Sequence, residues 1–388
     1  MTEMKEFPLL DPNEGIPILY PHVPSNGAKY IAEVLSSRWI GQGPKVDEFE
    51  EKFKESIIEN GYTIAVNSGT SALHLAYILA GITEGSEVIC PVFTCTATNI
   101  PILYEKGIPV FTDISKSSLN IDSNQIENLI TPRTLALCVV DYGGLPNDYV
   151  CLREICDKHE LKLIIDCAHA VDTYRDGHHV THFADYVIYS FQAIKTLTTG
   201  DGGMLIVKNE GDYEKAKRLR WFGIDRTAKQ KGIWKNDLTE IGYKYQMTDI
   251  AAALGLAALE ELNEILKKRR DLYKQYQIFL EEFEECLLEK PEKGTDFTPW
   301  LVTIDTKGCR LDLMNHLRNK NIESAQIHYR NDRYSIFKNY AKGLFLNMDR
   351  IEDNYLVLPF HTKLTSLDVK KICDEVKKVL RNNRLSKF

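Results

Sequence analysis

The chain has 388 residues, 44% of them hydrophobic and 27% charged, and a formal net charge of −7. That much apolar material builds one large or two medium cores, while the scattered Lys and Arg leave no basic footprint for nucleic acid. The opening residues MTEMKEFPLLDPNEG are acidic and interrupted by Pro, and the longest apolar runs are far too short for a bilayer, so neither a signal peptide nor a membrane partner is expected.

Between residues 60 and 207, short β-branched runs alternate with helical periods. Strands are predicted at Thr63–Asn67, Glu87–Pro91, Pro109–Asp113, Thr134–Val140, Lys162–Asp166, Tyr186–Ser190 and Gly203–Val207. Helices are predicted between them at Ser71–Gly81, Ala97–Lys106, Ser123–Ile130 and Asn147–His159. Strands that are apolar throughout and separated by helices imply an α/β fold whose mainly parallel sheet is covered on both faces. After Thr248 the pattern changes: Asp249–Arg270 reads as one long helix and Arg270–Cys286 as a second. A strand at Trp300–Asp305, a helix at Leu311–Lys320 and a closing helix at Leu367–Arg381 follow. The expected organisation is a large domain over 1–255, N-terminal segment included, and a smaller α+β domain over 256–388. Nine cysteines, an odd number without a CxxC pair, predict a reduced cytoplasmic protein with neither a disulfide framework nor a metal site.

Three clusters carry chemistry. Asn67-Ser-Gly-Thr-Ser-Ala-Leu lies between a strand and a helix, where glycine, hydroxyls and free N–H groups suit a phosphate. A plain N-cap by Ser68, Thr70 or Ser71 is the alternative. Asp166 ends a buried strand in LIIDCAH, where a carboxylate needs a partner such as a protonated ring nitrogen. A strand-end cap explains it equally, and His169 is either a ligand contact or a satisfied core histidine. Lys195 follows a buried strand in YSFQAIKTLTTGDGG, where desolvation lowers its pKa and makes the amine a Schiff-base nucleophile. Together these are the parts that hold pyridoxal phosphate, an electron sink.

At these residues the chain resembles the DegT/StrS-type nucleotide-sugar aminotransferases, of the type I pyridoxal-phosphate fold. The matching segments are NSGTSALHLA, EVICPVFTCTATN, ITPRTLAL, IIDCAHA, SFQAIKTLTTGDGGM and GYKYQMTDIAAALGL, which occur in order along nearly the whole chain. The resemblance implies that Lys195 holds the cofactor covalently and that Asp166 pairs with the pyridine nitrogen. His169 would sit near the phenolic oxygen, Gly69, Thr70 and Ser190 at the phosphate, and Ala168 against one ring face. It also implies a homodimer in which the segment around Gly242–Gln246 reaches the neighbour's phosphate site.

This sequence departs from the family pattern at several positions. Lys244 stands where Asn is usual and Cys95 where a stacking aromatic is common, while Gln192 replaces a frequent His and Asp201 a Glu. Related sugar dehydratases carry His at the position of Lys195, so the lysine favours amino transfer. The resemblance places Trp39 to Gln42, Gly41 among them, and His328 and Tyr329 toward the sugar. Arg218, Arg220 and Arg226 would meet a diphosphate or form a solvated face. The TTGDGGM turn resembles that of 4-keto-6-deoxyhexose C4 aminotransferases of the perosamine-synthase type. The implied reaction takes nitrogen from L-glutamate, passes it through the amino form of the cofactor (PMP), and delivers it to a nucleotide-linked keto sugar for cell-surface glycan such as lipopolysaccharide O-antigen. A dehydratase or lyase on the same fold, and a non-catalytic regulator, are the alternatives.

Overall fold

A computed structural model describes residues 8–235 and 237–385. Residues 1–7, part of the acidic opening segment, lie outside the described residues. The core of the fold is a seven-stranded sheet. Its strands are β1 (Tyr62–Val66), β2 (Glu87–Pro91), β3 (Ile108–Thr112), β4 (Thr134–Val140), β5 (Lys162–Asp166), β6 (Tyr186–Ser190) and β7 (Gly203–Val207). Their spatial order is β1-β7-β6-β5-β4-β2-β3. The pairs β3–β2, β2–β4, β4–β5 and β5–β6 are parallel, whereas β7 lies antiparallel between β6 and β1.

Buried clusters cover both faces of the sheet, one including Val66, Val88, Ile164 and Ile188, the other Ala65, Ile89, Ile165 and Val187. The alternation follows from the pleat: neighbouring residues point to opposite faces, and here both faces are apolar. Polar groups collect at the strand ends. Helix Gly69–Leu79 starts just past β1, with the Ser68 hydroxyl accepting the Ser71 N–H at 3.1 Å. The N-cap reading of that turn is therefore correct for Ser68, and it leaves Gly69 and Thr70 at the helix tip.

The seven strands predicted for the sheet match within one residue and the strand expected at Trp300–Asp305 begins two residues later, at Val302, but the helix expected over Asp249–Arg270 is two helices, Asp249–Glu260 and Leu262–Phe279. The break falls at Glu261, which is neither Gly nor Pro. Its carboxylate accepts from the backbone N–H of Ser25 at 2.7 Å and meets His22 Nε2 at 2.9 Å, so a partner distant in sequence sets the bend. Farther on, β8 (Val302–Asp305) pairs antiparallel with β9 (Tyr355–Leu358), and helices Arg310–Arg318 and Ser366–Leu385 pack with them around Leu313, Leu356 and Ile372. Gly15–Ile18 joins this unit, since Ile16 bridges Ile322 and Phe360 N–H donates to Ile18 at 2.9 Å. Among the described residues, no helix is long and apolar enough to cross a membrane.

Candidate active site

A cavity of about 320 Å³ opens beyond the C-terminal ends of β4, β5 and β6, where open α/β sheets bind ligands. Asp166, Lys195, Gly69, Thr70, Ser190, Cys95, Ala168, His169 and His328 all line it, so strand ends and turns far apart in sequence converge.

Asp166 is 3% exposed. Its Oδ2 accepts from Thr98 Oγ1 at 2.8 Å and its Oδ1 from the Ala168 N–H at 3.0 Å. Burial raises its pKa, and these two donors and the charge of Lys195 offset that only in part. The carboxylate is thus aimed and costly to ionise alone, which is the condition under which a cationic ring nitrogen gains most from it.

Lys195 is half-buried by surface area because its side chain opens into the cavity, yet the surrounding protein pushes its amine down to about 8. Desolvation is the main cause, opposed by Cys95 and Asp166. Its Nζ lies 3.8 Å from the centre of the Trp300 ring. Near pH 8 such an amine exchanges protons in either direction.

Another part of the cavity lining has the features that suit an anion. Gly69 and Thr70 begin a helix, so their N–H groups have no partner within it, and the helix dipole favours negative charge there. Two close approaches fix this turn. A Cβ on Gly69 would meet Ser190 Cβ at 3.0 Å, and one on Gly203 would meet the Ser68 carbonyl oxygen at 2.5 Å. The register places Gly203 opposite both Ser190 and Val66, so β7 ties the cradle to the strand that leads to Lys195.

His169 accepts the Gly143 N–H on Nδ1 at 3.3 Å, which leaves the ring proton on Nε2. Its ring stacks on Trp300 at 3.9 Å and runs parallel to His328 at 5.4 Å. His328 Nδ1 shares a 3.0 Å hydrogen bond with the Tyr142 hydroxyl. Burial lowers the pKa of both histidines, His328 to about 3, so both are neutral. Cys95 precedes helix Thr96–Tyr104 and, like Ala168, borders the cavity without covering it.

Other predicted residues do not line this cavity within one chain. Trp39, Gly41, Tyr329 and Lys244 are exposed, and Lys244 Nζ lies over the Phe222 ring at 5.3 Å. The three arginines border a separate cavity of about 480 Å³. Arg220 is spoken for by Glu50 and the Ala65 carbonyl, and Arg218 by Glu240 at 2.7 Å; Arg226 instead donates to the Gln42 carbonyl. Thr98, Tyr142 and Trp300 escaped the sequence reading. Thr98 lies inside the recognised TCTATN stretch, and a Trp in a strand-like apolar run carries an N–H that needs a partner when buried, which was the available signal.

Comparisons with known proteins agree with this geometry. The model of the DegT/DnrJ/EryC1/StrS aminotransferase family matches residues 23–377. The GDP-perosamine synthase of Vibrio cholerae is 33% identical over 368 residues, covering 93% of this chain and 98% of its own. A putative sugar aminotransferase, Spr1654 of Streptococcus pneumoniae, solved in its PMP form, superposes with a TM-score of 0.88 at 26% identity, covering 95% of this chain and 99% of its own. It has also been solved in a PLP form. PseC of Helicobacter pylori, an aminotransferase involved in the biosynthesis of pseudoaminic acid, gives a TM-score of 0.86 at 25% identity over 95% of this chain and 100% of its own.

Proposed function

Because the chain belongs to the DegT/DnrJ/EryC1/StrS aminotransferase family, as a pyridoxal-phosphate-dependent sugar aminotransferase of the type I fold, we propose that it moves nitrogen from L-glutamate to C4 of a nucleotide-linked 4-keto-6-deoxyhexose. The observation that carries the reading is the convergence of a desolvated Lys195 amine, a buried Asp166 carboxylate and a helix-tip cradle on one cavity. The C4 position is supported by the Vibrio cholerae relative, a GDP-perosamine synthase, and by the TTGDGGM turn. Amino-sugar supply for a surface glycan follows from that product class.

The residues present fit pyridoxal phosphate. Asp166 needs a cation, the tip of helix Gly69–Leu79 needs an anion, and the cavity between them is bordered by Cys95 and Ala168 rather than filled by a large side chain. Bound there, the cofactor supplies an electron sink that lets a C–H bond beside nitrogen ionise. Asp166, held by Thr98 and Ala168, keeps the ring nitrogen protonated. Gly69, Thr70 and Ser190 hold the phosphate. The Nε2–H of His169 donates toward the ring oxygen. Lys195 would hold the cofactor, and its free amine would move the proton between the amine nitrogen and the donor and sugar carbons. His328 and Trp300 shield these transfers from water.

The working unit in this reading is a cytoplasmic homodimer. Lys244, which does not line its own cavity, meets the phosphate of the neighbour, while Trp39, Gly41 and Tyr329 meet the sugar nucleotide at the shared mouth. Two features support this: the 242–246 segment is pinned by Asn67 N–H donating to the Tyr245 carbonyl at 2.7 Å, and the nearby Trp234 and Ile241 expose apolar side chains. No disulfide joins the cysteines among the described residues, in keeping with a reducing compartment.

The test is an absorbance spectrum of the purified protein before and after L-glutamate. The yellow cofactor band is expected to give way to the near-ultraviolet band of the amino form, and Lys195→Ala to lose turnover while still binding that amino form. A yellow band that glutamate leaves unchanged would refute the donor; wild-type turnover by Lys195→Ala would refute the assignment of the lysine.

A further inference from the structure

Trp300 joins the parts of the site at several points. Its Nε1–H donates to the carbonyl of Ile194, the residue directly before Lys195, at 2.9 Å. Its backbone N–H donates to Gly143 at 2.7 Å, and Gly143 in turn donates to His169. Its ring stacks on His169 at 3.9 Å with 25° between planes, and the Lys195 Nζ lies over that ring at 3.8 Å. At 1% exposure, with both N–H groups engaged, the indole has no room to turn away.

An ammonium withdrawn from water needs either a counter-charge or the negative face of an aromatic ring. Asp166 favours the charged amine, but its two oxygens are already bound to Thr98 and Ala168. The other titratable groups facing the amine are Cys95, which also favours the charge, and the neutral His169 and His328. The indole face is the support whose strength does not vary with pH.

We propose that Trp300 is a positioning residue for amino transfer: its ring face holds the Lys195 ammonium inside the cavity between proton transfers, and its N–H fixes the turn that aims the amine. The inference rests on Lys195 as the proton carrier, and no other part of the proposed mechanism requires it. Without the ring, the freed lysine would hold its proton less well and spend less time pointing at the reacting carbon.

The experiment compares the wild type with Trp300→Phe and Trp300→Leu in the full-length protein. Cofactor-free samples are pulsed with acetic anhydride across a pH series, and acetylation of the Lys195 peptide is followed by mass spectrometry to give the protonation midpoint of that amine. The midpoints are expected in the order Trp, Phe, Leu, with Leu lower by roughly one pH unit, about a tenfold shift in the protonation equilibrium. In the holoenzyme, kcat should fall in the same order with little change in the KM for the amino donor. A packing role alone would lower the melting temperature and leave the midpoint unmoved, and water entering a cavity would raise the midpoint; either result overturns the inference. Should the Leu variant fail to fold, the Phe variant carries the comparison, since it keeps an aromatic face but loses the N–H, part of the ring volume and part of the face charge. Borohydride reduction of the wild-type holoenzyme separates the two claims. Cofactor trapped on a different lysine sinks the Lys195 reading, whereas cofactor trapped on Lys195 with unshifted variant midpoints sinks the role of Trp300 alone.

Discussion

Replacing Thr98 by Val keeps the branched shape of a fully buried side chain and removes a single oxygen. That oxygen donates to Asp166 Oδ2 at 2.8 Å and shares a second hydrogen bond of 3.0 Å with Thr94 Oγ1. The Asp166 pKa is already raised by burial, and the Thr98 bond is one of the contacts that bring it down. Losing it makes the ionised carboxylate costlier and should weaken the pairing proposed for it with the cofactor nitrogen. A hydrogen bond to a charged group is worth about 1.5–3 kcal/mol, so cofactor binding should weaken roughly 10- to 150-fold. The assay is a titration of cofactor-free protein with pyridoxal phosphate, followed by absorbance, with Thr94→Val for comparison, since Thr94 also lines the cavity and bonds Thr98 but makes no bond to Asp166. A double-mutant cycle with Asp166→Asn isolates the pair, because the Thr98 substitution should cost little once the carboxylate is gone. Equal losses in the Asp166 and Asn backgrounds, or an unchanged dissociation constant in the wild-type background, would show that Thr98 does not act through Asp166.

Two more perturbations test the surroundings of the site, behind the residues that line the cavity. Glu289 is 2% exposed, accepts the Thr303 N–H on Oε2 at 2.7 Å, and has no hydrogen-bond partner for Oε1 among the described residues. Burial raises its pKa from 4.5 to about 8. The folded chain therefore keeps a proton that the unfolded chain releases, and the stability this gives below pH 4.5 is lost as the pH climbs to about 8. Glu289→Gln, which has no charge to bury, should flatten the melting-temperature profile between about pH 5 and pH 8 and melt higher than wild type above it; parallel profiles would contradict the buried-proton assignment. Gly203→Ala places a Cβ 2.5 Å from the Ser68 carbonyl oxygen and 2.6 Å from the Gly69 nitrogen, both backbone atoms that cannot rotate aside. It should cost about 1–3 kcal/mol of stability and loosen cofactor binding, whereas Gly41→Ala, whose Cβ meets nothing within 4 Å, should do neither in thermal melts and cofactor titrations.

What the sequence disclosed and what it hid divide along a physical line. Asp166 and Lys195 were legible because each is a charged group at the end of an apolar run, and that conflict between residue type and surroundings is visible locally. The helix tip at Gly69 was legible for the same reason, since caps and glycines act within a few residues. Trp300, Tyr142 and Thr98 were not, because their partners at Lys195, His328 and Asp166 are brought near only by folding. The bend at Glu261 was hidden likewise, its cause lying at His22 and Ser25. The direction of β7 is an instructive middle case. Its composition is that of any buried strand, but only residues 191–202 separate it from β6, and that stretch has no helical period. A parallel return needs a crossover of a dozen or more residues, usually helical; this link sits at that lower limit and lacks the helix, which favours an antiparallel neighbour. That reversal sets Gly203 beside both Ser190 and Ser68, and so the same short connection that carries Lys195 also anchors the phosphate cradle. The strand that leads to Lys195 and the helix tip at Gly69 are therefore tied together by backbone contacts at Gly203, which is why a single methyl group there should disturb the cofactor more than the loss of a surface ion pair elsewhere.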